Sequence, residues 1–144
     1  MQDNKNSPYW FIPFAKALES YPSVENVRFL SLSKDDTKDW PPVYRYGMSR
    51  NSLPDNYYEA YCFFECRSRK SLWAISKLLG ETTLDSENQS EFDPMDVLVS
   101  PYEEDEDHFD IEFCIVLYPD EEHCELNIPV ITKRLLELKQ SLNF

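Results

Sequence analysis

The stretch YYEAYCFFECR, residues 57–67, decides the fold. Its alternate residues from Tyr58 to Cys66 share one face, as successive side chains of a β-strand point to opposite faces. Glu59 and Glu65 mark the other face near the two ends of the stretch, but its middle is apolar on both sides. Because strands that are covered on both faces carry such apolar runs, we expect this segment to be a central strand of a sheet.

Three further segments have the pattern of strands that would join it. His108–Tyr118 alternates apolar and polar residues, and Val24–Leu32 is rich in apolar and aromatic residues. Met95–Val99 is short and apolar, and should form a hairpin with His108–Tyr118. The tip of this hairpin would carry the acidic run Glu103–Asp107.

Three segments favour helices. Pro8–Ser20 is either a kinked helix or a turn followed by a helix from Pro13. Ser71–Leu79 should be a helix that ends at Gly80. Asn127–Leu142, with Asn127 as its N-cap, repeats apolar residues at intervals of three and four.

These segments predict an α+β fold, with about three helices packed mainly on one face of a single mixed, mostly antiparallel sheet. Val43–Met48 would be a short edge strand, because prolines precede it. No linker divides the 144 residues, so we expect a single domain over residues 1–144, with residues 1–7 disordered.

Charge is unevenly distributed along the chain. The formal net charge is −13, and segment 81–125 holds 17 Asp or Glu with no Lys or Arg. Such a segment repels the phosphates of nucleic acid and anionic membrane surfaces. It attracts basic proteins or cations, although acidic loops also serve only to keep small proteins soluble.

The cysteines indicate a reducing compartment. Cys62 and Cys66 lie four residues apart on a predicted strand, too far apart for a disulfide. Cys114 and Cys124 complete a set without a C-x-x-C motif. With no secretory signal pattern at the start, we expect four reduced, mostly buried thiols in a cytoplasmic protein.

Carboxylates and histidines raise the question of a metal site. The run Glu103–Asp107 lacks the glycine and the final glutamate of a calcium-binding EF-hand loop. His108, Asp110 and Glu112 would share one strand face and could bind a transition metal. Histidine beside carboxylates is more often an ordinary solvated surface pair, so we expect no metal and no cofactor.

Catalytic motifs are absent from the sequence. There is no glycine-rich phosphate loop, and neither G-x-S-x-G nor H-E-x-x-H occurs. A thiolate nucleophile needs electropositive surroundings, whereas Cys114 and Cys124 lie in the most acidic part of the chain. We therefore expect a protein that is not an enzyme.

In size, charge and α+β pattern, the whole chain resembles the immunity proteins of bacterial toxin systems, including those of contact-dependent growth inhibition. The resemblance implies a cytoplasmic inhibitor that binds and neutralises a basic, nuclease-like toxin domain. The alternative is a non-catalytic adaptor domain with another protein partner. In either case the predicted partner is a protein, with neither nucleic acid nor membrane bound and the oligomeric state left open.

The predicted contacts are carboxylates of the acidic segment, which would steer and hold a basic partner. They are Glu103, Glu104, Asp105, Glu106, Asp107, Asp110, Glu112, Asp120, Glu121 and Glu122.

Overall fold

The computed structural model describes residues 7–37, 43–44, 48–49, 55, 57–85, 96–102, 105–117 and 121–143. Within these ranges the helices are α1 (Phe11–Glu19), α2 (Arg69–Asp85) and α3 (Glu122–Ser141). The strands are β1 (Val24–Ser33), β2 (Val43–Tyr44), β3 (Met48–Ser49), β4 (Tyr58–Cys66), β5 (Asp96–Tyr102) and β6 (Asp105–Leu117). Most of the segment predicted to be disordered, residues 1–6, lies outside the described ranges.

Four of these strands form an antiparallel sheet in the order β1-β4-β6-β5. The α+β prediction is confirmed, and β4 is a central strand as its two apolar faces predicted. The predicted edge strand Val43–Met48 is wrong, because β2 and β3 pair with each other in a separate two-stranded sheet. Val43 pairs with Ser49 and Tyr44 pairs with Met48, so β2 finds its partner within this short segment rather than in the four-stranded sheet.

One face of the four-stranded sheet packs against the helices. The Phe14 ring of α1 lies 5.5 Å from the Phe113 ring of β6. Beside them, the Phe11 and Phe29 rings are 4.7 Å apart. This face and the inner sides of the helices form one apolar core, which includes Phe11, Phe14, Leu18, Val27, Cys62, Phe64, Ile75, Ile111, Phe113, Cys124, Ile128, Ile131 and Leu135.

The opposite face of the sheet carries polar groups that are nevertheless buried. Glu59 is fully buried, and both Tyr57 and Tyr61 donate hydroxyl hydrogen bonds to its carboxylate. His108, on β6, is also buried. Burial on this face therefore depends on specific hydrogen bonds, because an uncompensated polar group would be costly there.

Helix α1 begins at Phe11, between the two predicted starting points. Trp10 occupies the N-cap position and makes no side-chain capping bond. Pro13 lies in the first turn, where its missing N–H would have no partner within the helix, so it neither kinks nor starts α1. The buried side of α1 includes Phe14 and Leu18.

Helix α2 extends beyond both predicted ends. Ser68 caps its start by accepting a hydrogen bond from the backbone N–H of Ser71, at 3.1 Å. The prediction that Gly80 ends the helix is wrong, because α2 continues to Asp85. A glycine inside a helix costs only about 1 kcal/mol relative to alanine, which neighbouring turns can offset.

Helix α3 begins earlier than predicted, at Glu122 rather than after Asn127. Cys124 is fully buried four residues before Ile128, so the apolar stripe begins among the acidic residues that precede Asn127. Glu122 and Glu125 lie in the first turn, where carboxylates favour the helix dipole. Among the described helices, none is long and apolar enough to cross a membrane.

Candidate functional site

The predicted contact residues fall into three groups along β6 and α3. Glu106 and Asp107 are exposed near the start of β6, whereas Asp110 and Glu112 are half-buried within it. The third group, Glu121 and Glu122, is exposed where α3 begins. The structure describes Asp105 only as part of β6, and the other predicted contacts, Glu103, Glu104 and Asp120, lie outside the described residues.

The β5–β6 hairpin is confirmed, but its acidic end differs from the prediction. Asp105 pairs with Tyr102 and already belongs to β6, so the strand begins within the acidic run that was predicted to lie at the tip. Arg69 of α2 places its Nε atom 3.1 Å from Oδ1 of Asp107. The same guanidinium donates to the backbone carbonyl of Glu106 and lies over the Phe109 ring, 5.6 Å from its centroid. An arginine therefore balances part of the negative charge at this end of the hairpin.

The two exposed acidic groups lie at opposite ends of β6. Ten residues separate Asp107 from Leu117, the end of the strand. At about 3.3 Å per residue, Asp107 and Leu117 are about 33 Å apart, and Glu121 follows four residues after Leu117. The predicted contacts are thus spread along the whole of β6 rather than gathered in one patch.

The acidic group at the start of α3 adjoins exposed apolar residues. Glu122, Leu126 and Val130 follow at intervals of four, so they lie along one side of the helix. Leu126 is 66% exposed and Val130 is 50% exposed. Apolar and acidic side chains are therefore exposed side by side on the first part of α3.

A second candidate cluster of side chains lies on the face of the sheet opposite the helices. Glu25 of β1, Glu65 of β4 and His108 of β6 place one ligand atom each within 4.8 Å of one another. Glu25 and Glu65 are direct cross-strand partners, whereas His108 lies diagonally across from Glu65, whose direct partner is Asp110. Carboxylate oxygens and an imidazole nitrogen at this spacing are able to bind a metal ion.

Local backbone geometry shapes this Glu25–Glu65–His108 cluster. The pairing of β1 with β4 is irregular between Glu25 and Arg28, and Asn26 adopts φ 58° there. Asparagine tolerates this left-handed conformation, and such bulges redirect neighbouring side chains. The Asn26 side-chain amide donates a hydrogen bond to Oε2 of Glu65, which holds that carboxylate in place.

The interpretation of His108 as a solvated surface histidine is wrong. Its side chain is only 10% exposed, and its Nε2 atom lies 3.7 Å from Oε1 of Glu65. Sequence reasoning grouped His108 with Asp110 and Glu112 because all three share one strand face. It missed Glu25 and Glu65 as possible ligands. The available signal was Glu65 itself, a carboxylate near the end of a predicted central strand, where a residue of a neighbouring strand could lie beside it.

The described cysteines are unsuited to nucleophilic chemistry. Cys62, Cys66 and Cys124 are free, buried thiols, as predicted, whereas nothing is described of the Cys114 side chain. Burial raises the thiol pKa of all three, and for Cys124 the nearby carboxylates of Glu121 and Glu125 raise it further. Each of these thiols therefore stays protonated at neutral pH.

Comparison of this chain with protein-family models, with curated proteins and with solved structures finds no match. The function must therefore be argued from the surfaces and side-chain clusters of this chain alone.

Proposed function

We propose that this chain is a cytoplasmic inhibitor of the immunity type, which binds and neutralises a basic, nuclease-like toxin domain. The first part of α3 would form the centre of the binding surface. The net charge of −13 supports a basic partner, because long-range attraction speeds the association of oppositely charged proteins.

The observation that carries the proposal is the exposed side of α3 formed by Glu122, Leu126 and Val130. Protein interfaces have an apolar centre surrounded by a polar rim. Here Leu126 and Val130 would exclude water, while Glu121 and Glu122 would meet lysine or arginine side chains at the rim. Arginine suits such a site because its apolar stem packs on leucine while its guanidinium binds carboxylate.

The hairpin end of the acidic surface has a smaller role in this proposal. Asp107 is already paired with Arg69, so a partner gains less from contacting it. The separation of about 33 Å also equals roughly the full width of a standard interface of about 800 Å² per partner. We therefore expect Glu106 and Asp107 to act mainly by attracting a partner over distance.

Two double variants with the same change in charge test the proposal. The test variant is Glu121→Gln with Glu122→Gln, and the control is Asp35→Asn with Asp55→Asn, which are exposed and lie outside α3. Each protein is immobilised, exposed to bacterial extract, and its captured polypeptides are identified by mass spectrometry. We expect wild type and control to capture the same basic polypeptide, and the test variant to lose most of it.

Surface-plasmon kinetics with that purified polypeptide then separate steering from contact. At low salt the association rate of the test variant should fall about tenfold, with a flatter salt dependence. Leu126→Ala should instead raise the dissociation rate. The triple variant Asp105→Asn, Glu106→Gln and Asp107→Asn should slow association less than the α3 variant does.

Two outcomes contradict the proposal. If both double variants bind equally well, the acidic start of α3 serves only solubility. If Leu126→Ala weakens binding while neither charge variant does, the chain is an adaptor whose partner recognises apolar groups. Circular dichroism of every variant verifies that the fold is retained.

A further inference from the structure

Three strands that are far apart in sequence bring a mixed set of metal-binding groups together. The ligand atoms of Glu25, Glu65 and His108 all lie within 4.8 Å of one another. The pairing of β4 with β1 and with β6 fixes this arrangement, because all three residues are on the sheet face that the helices leave uncovered. The set therefore rests on paired strands rather than on loops.

Burial distinguishes this cluster from the carboxylates of the acidic surface. The side chain of Glu65 is 16% exposed and that of His108 is 10% exposed, whereas Glu25 lies at the solvent edge. Two anchored ligands and one accessible ligand leave a path by which an ion can enter. Imidazole nitrogen is also a better ligand than water or backbone carbonyl for transition metals.

Side chains beside the cluster hold its carboxylates in place, as the hydrogen-bonding groups around metal ligands do. Asn26 donates a hydrogen bond to Oε2 of Glu65, which leaves Oε1 directed toward His108 at 3.7 Å. Such outer hydrogen bonds hold metal-binding carboxylates in a fixed orientation. Arg67 lies 3.9 Å from Glu25 and is exposed, so it can move away when an ion binds.

We propose that Glu25, Glu65 and His108 bind a divalent transition metal ion, with Zn²⁺ the best fit. At bond lengths of about 2.0–2.2 Å, neighbouring ligands of a tetrahedral ion lie roughly 3.3–3.6 Å apart. The 3.7 Å between Nε2 of His108 and Oε1 of Glu65 is close to this value. Three protein ligands leave a fourth position for water or for a donor atom of another molecule.

This site is independent of the proposed partner surface on α3. The alternative arrangement is an ion pair without metal, in which a protonated His108 faces Glu65 and Arg67 faces Glu25. The proposed site binds added Zn²⁺, whereas the ion-paired arrangement leaves no position for it.

Calorimetric titration of chelator-treated protein with ZnCl₂ tests the proposal, and Co²⁺ serves as a spectroscopic probe. We expect one ion per chain, with no thiolate-to-cobalt charge-transfer band. The ring signals of His108 should shift on binding; the chain has two histidines, so His123→Ala assigns them. Glu25→Gln, at an exposed position that does not threaten the fold, should weaken binding at least tenfold.

Further variants separate a ligand role from a structural one. His108→Ala should abolish binding, and Asn26→Ala should weaken it about tenfold through Glu65. Glu112→Gln is the matched control, because it removes a carboxylate from the same strand and face without altering the cluster; its affinity should equal that of wild type. Circular dichroism confirms that each variant is folded.

The proposal is overturned if folded wild type binds no Zn²⁺ at 100-fold excess. It is also overturned if Glu25→Gln binds as tightly as wild type, or if His123→Ala rather than His108→Ala removes binding. A charge-transfer band from thiolate would likewise place the ion at a cysteine and contradict the assignment.

Discussion

The two faces of the four-stranded sheet are built from the same strands but are stabilised differently. Phe64 and Phe113 lie on the face that the helices cover, whereas Glu59, Glu65 and His108 lie on the other. Apolar burial is non-directional and depends on area and volume. Buried polar groups depend on particular partners. Substitutions on the two faces should therefore destabilise the protein in different ways. On the helix-covered face the cause is lost side-chain volume, and on the other face it is a lost hydrogen-bonding group.

The largest effect should come from the helix-covered side. Leu135 of α3 is fully buried, so Leu135→Ala should lower the free energy of unfolding by about 2–5 kcal/mol, through lost burial and a residual cavity. Leu136→Ala is the matched control, since Leu136 is half-exposed, and should cost less than about 1 kcal/mol. Urea unfolding followed by circular dichroism measures both. Equal losses would mean that α3 does not dock through the side assigned to it.

The apolar side was largely predictable because its pattern is local. The period of two in residues 57–67 located β4, and the spacing of Ile128, Ile131 and Leu135 located α3. The boundaries were less predictable. Cys124 extends the apolar stripe of α3 but lies among acidic residues, so the pattern predicts a start that is too late. Gly80 is typical of a helix end, but α2 continues beyond it.

The polar side could not be predicted from local patterns. Glu25, Glu65 and His108 meet only through the strand order β1-β4-β6 and its register. The irregular pairing at Asn26 shifts that register within β1, and no periodicity announces it. Grouping His108 with Asp110 and Glu112 followed from sequence alone, but the nearest ligands come from other strands.

A smaller effect is expected at the buried carboxylate of the polar side. Glu59 accepts hydrogen bonds from Tyr57 and Tyr61, one on each oxygen. Glu59→Gln keeps the shape but replaces one acceptor with a donor, so it should cost about 1–3 kcal/mol. Glu106→Gln, on the surface, should cost less than about 0.5 kcal/mol.

A double-mutant cycle identifies the source of that cost. Glu59→Gln and Tyr61→Phe should show a coupling of at least about 0.5 kcal/mol in urea unfolding, because the two residues share a hydrogen bond. Additive losses would show that the hydrogen bond between Tyr61 and Glu59 contributes no stability, so that Glu59 matters only for the space it fills. The contrast between the two faces would then disappear at this position.

The smallest effect concerns a polar contact within the helix-covered side. The Tyr21 hydroxyl donates to the backbone carbonyl of Leu135 at 2.6 Å. Tyr21→Phe removes this bond but keeps the ring, so at pH 8 it should cost about 0.5–1.5 kcal/mol. Comparison with Leu135→Ala then shows that, on the helix-covered side, a directional hydrogen bond contributes less stability than apolar burial does.

The pH dependence of that cost gives the sharper test. Burial raises the pKa of Tyr21 from 10.0 to about 12, although a hydrogen bond with the Lys139 backbone lowers it in part. Above pH 10 the unfolded chain therefore loses the tyrosine proton while the folded chain keeps it, and the stability contributed by Tyr21 falls through pH 12. Tyr21→Phe lacks this loss, so its deficit relative to wild type should shrink between pH 10 and 12, by up to about 1.4 kcal/mol per unit. Urea unfolding at pH 8, 10 and 11 measures the difference. A deficit that stays constant would mean that the hydroxyl ionises as freely in the folded protein as in the unfolded chain, and would contradict the effect of burial on the pKa of Tyr21.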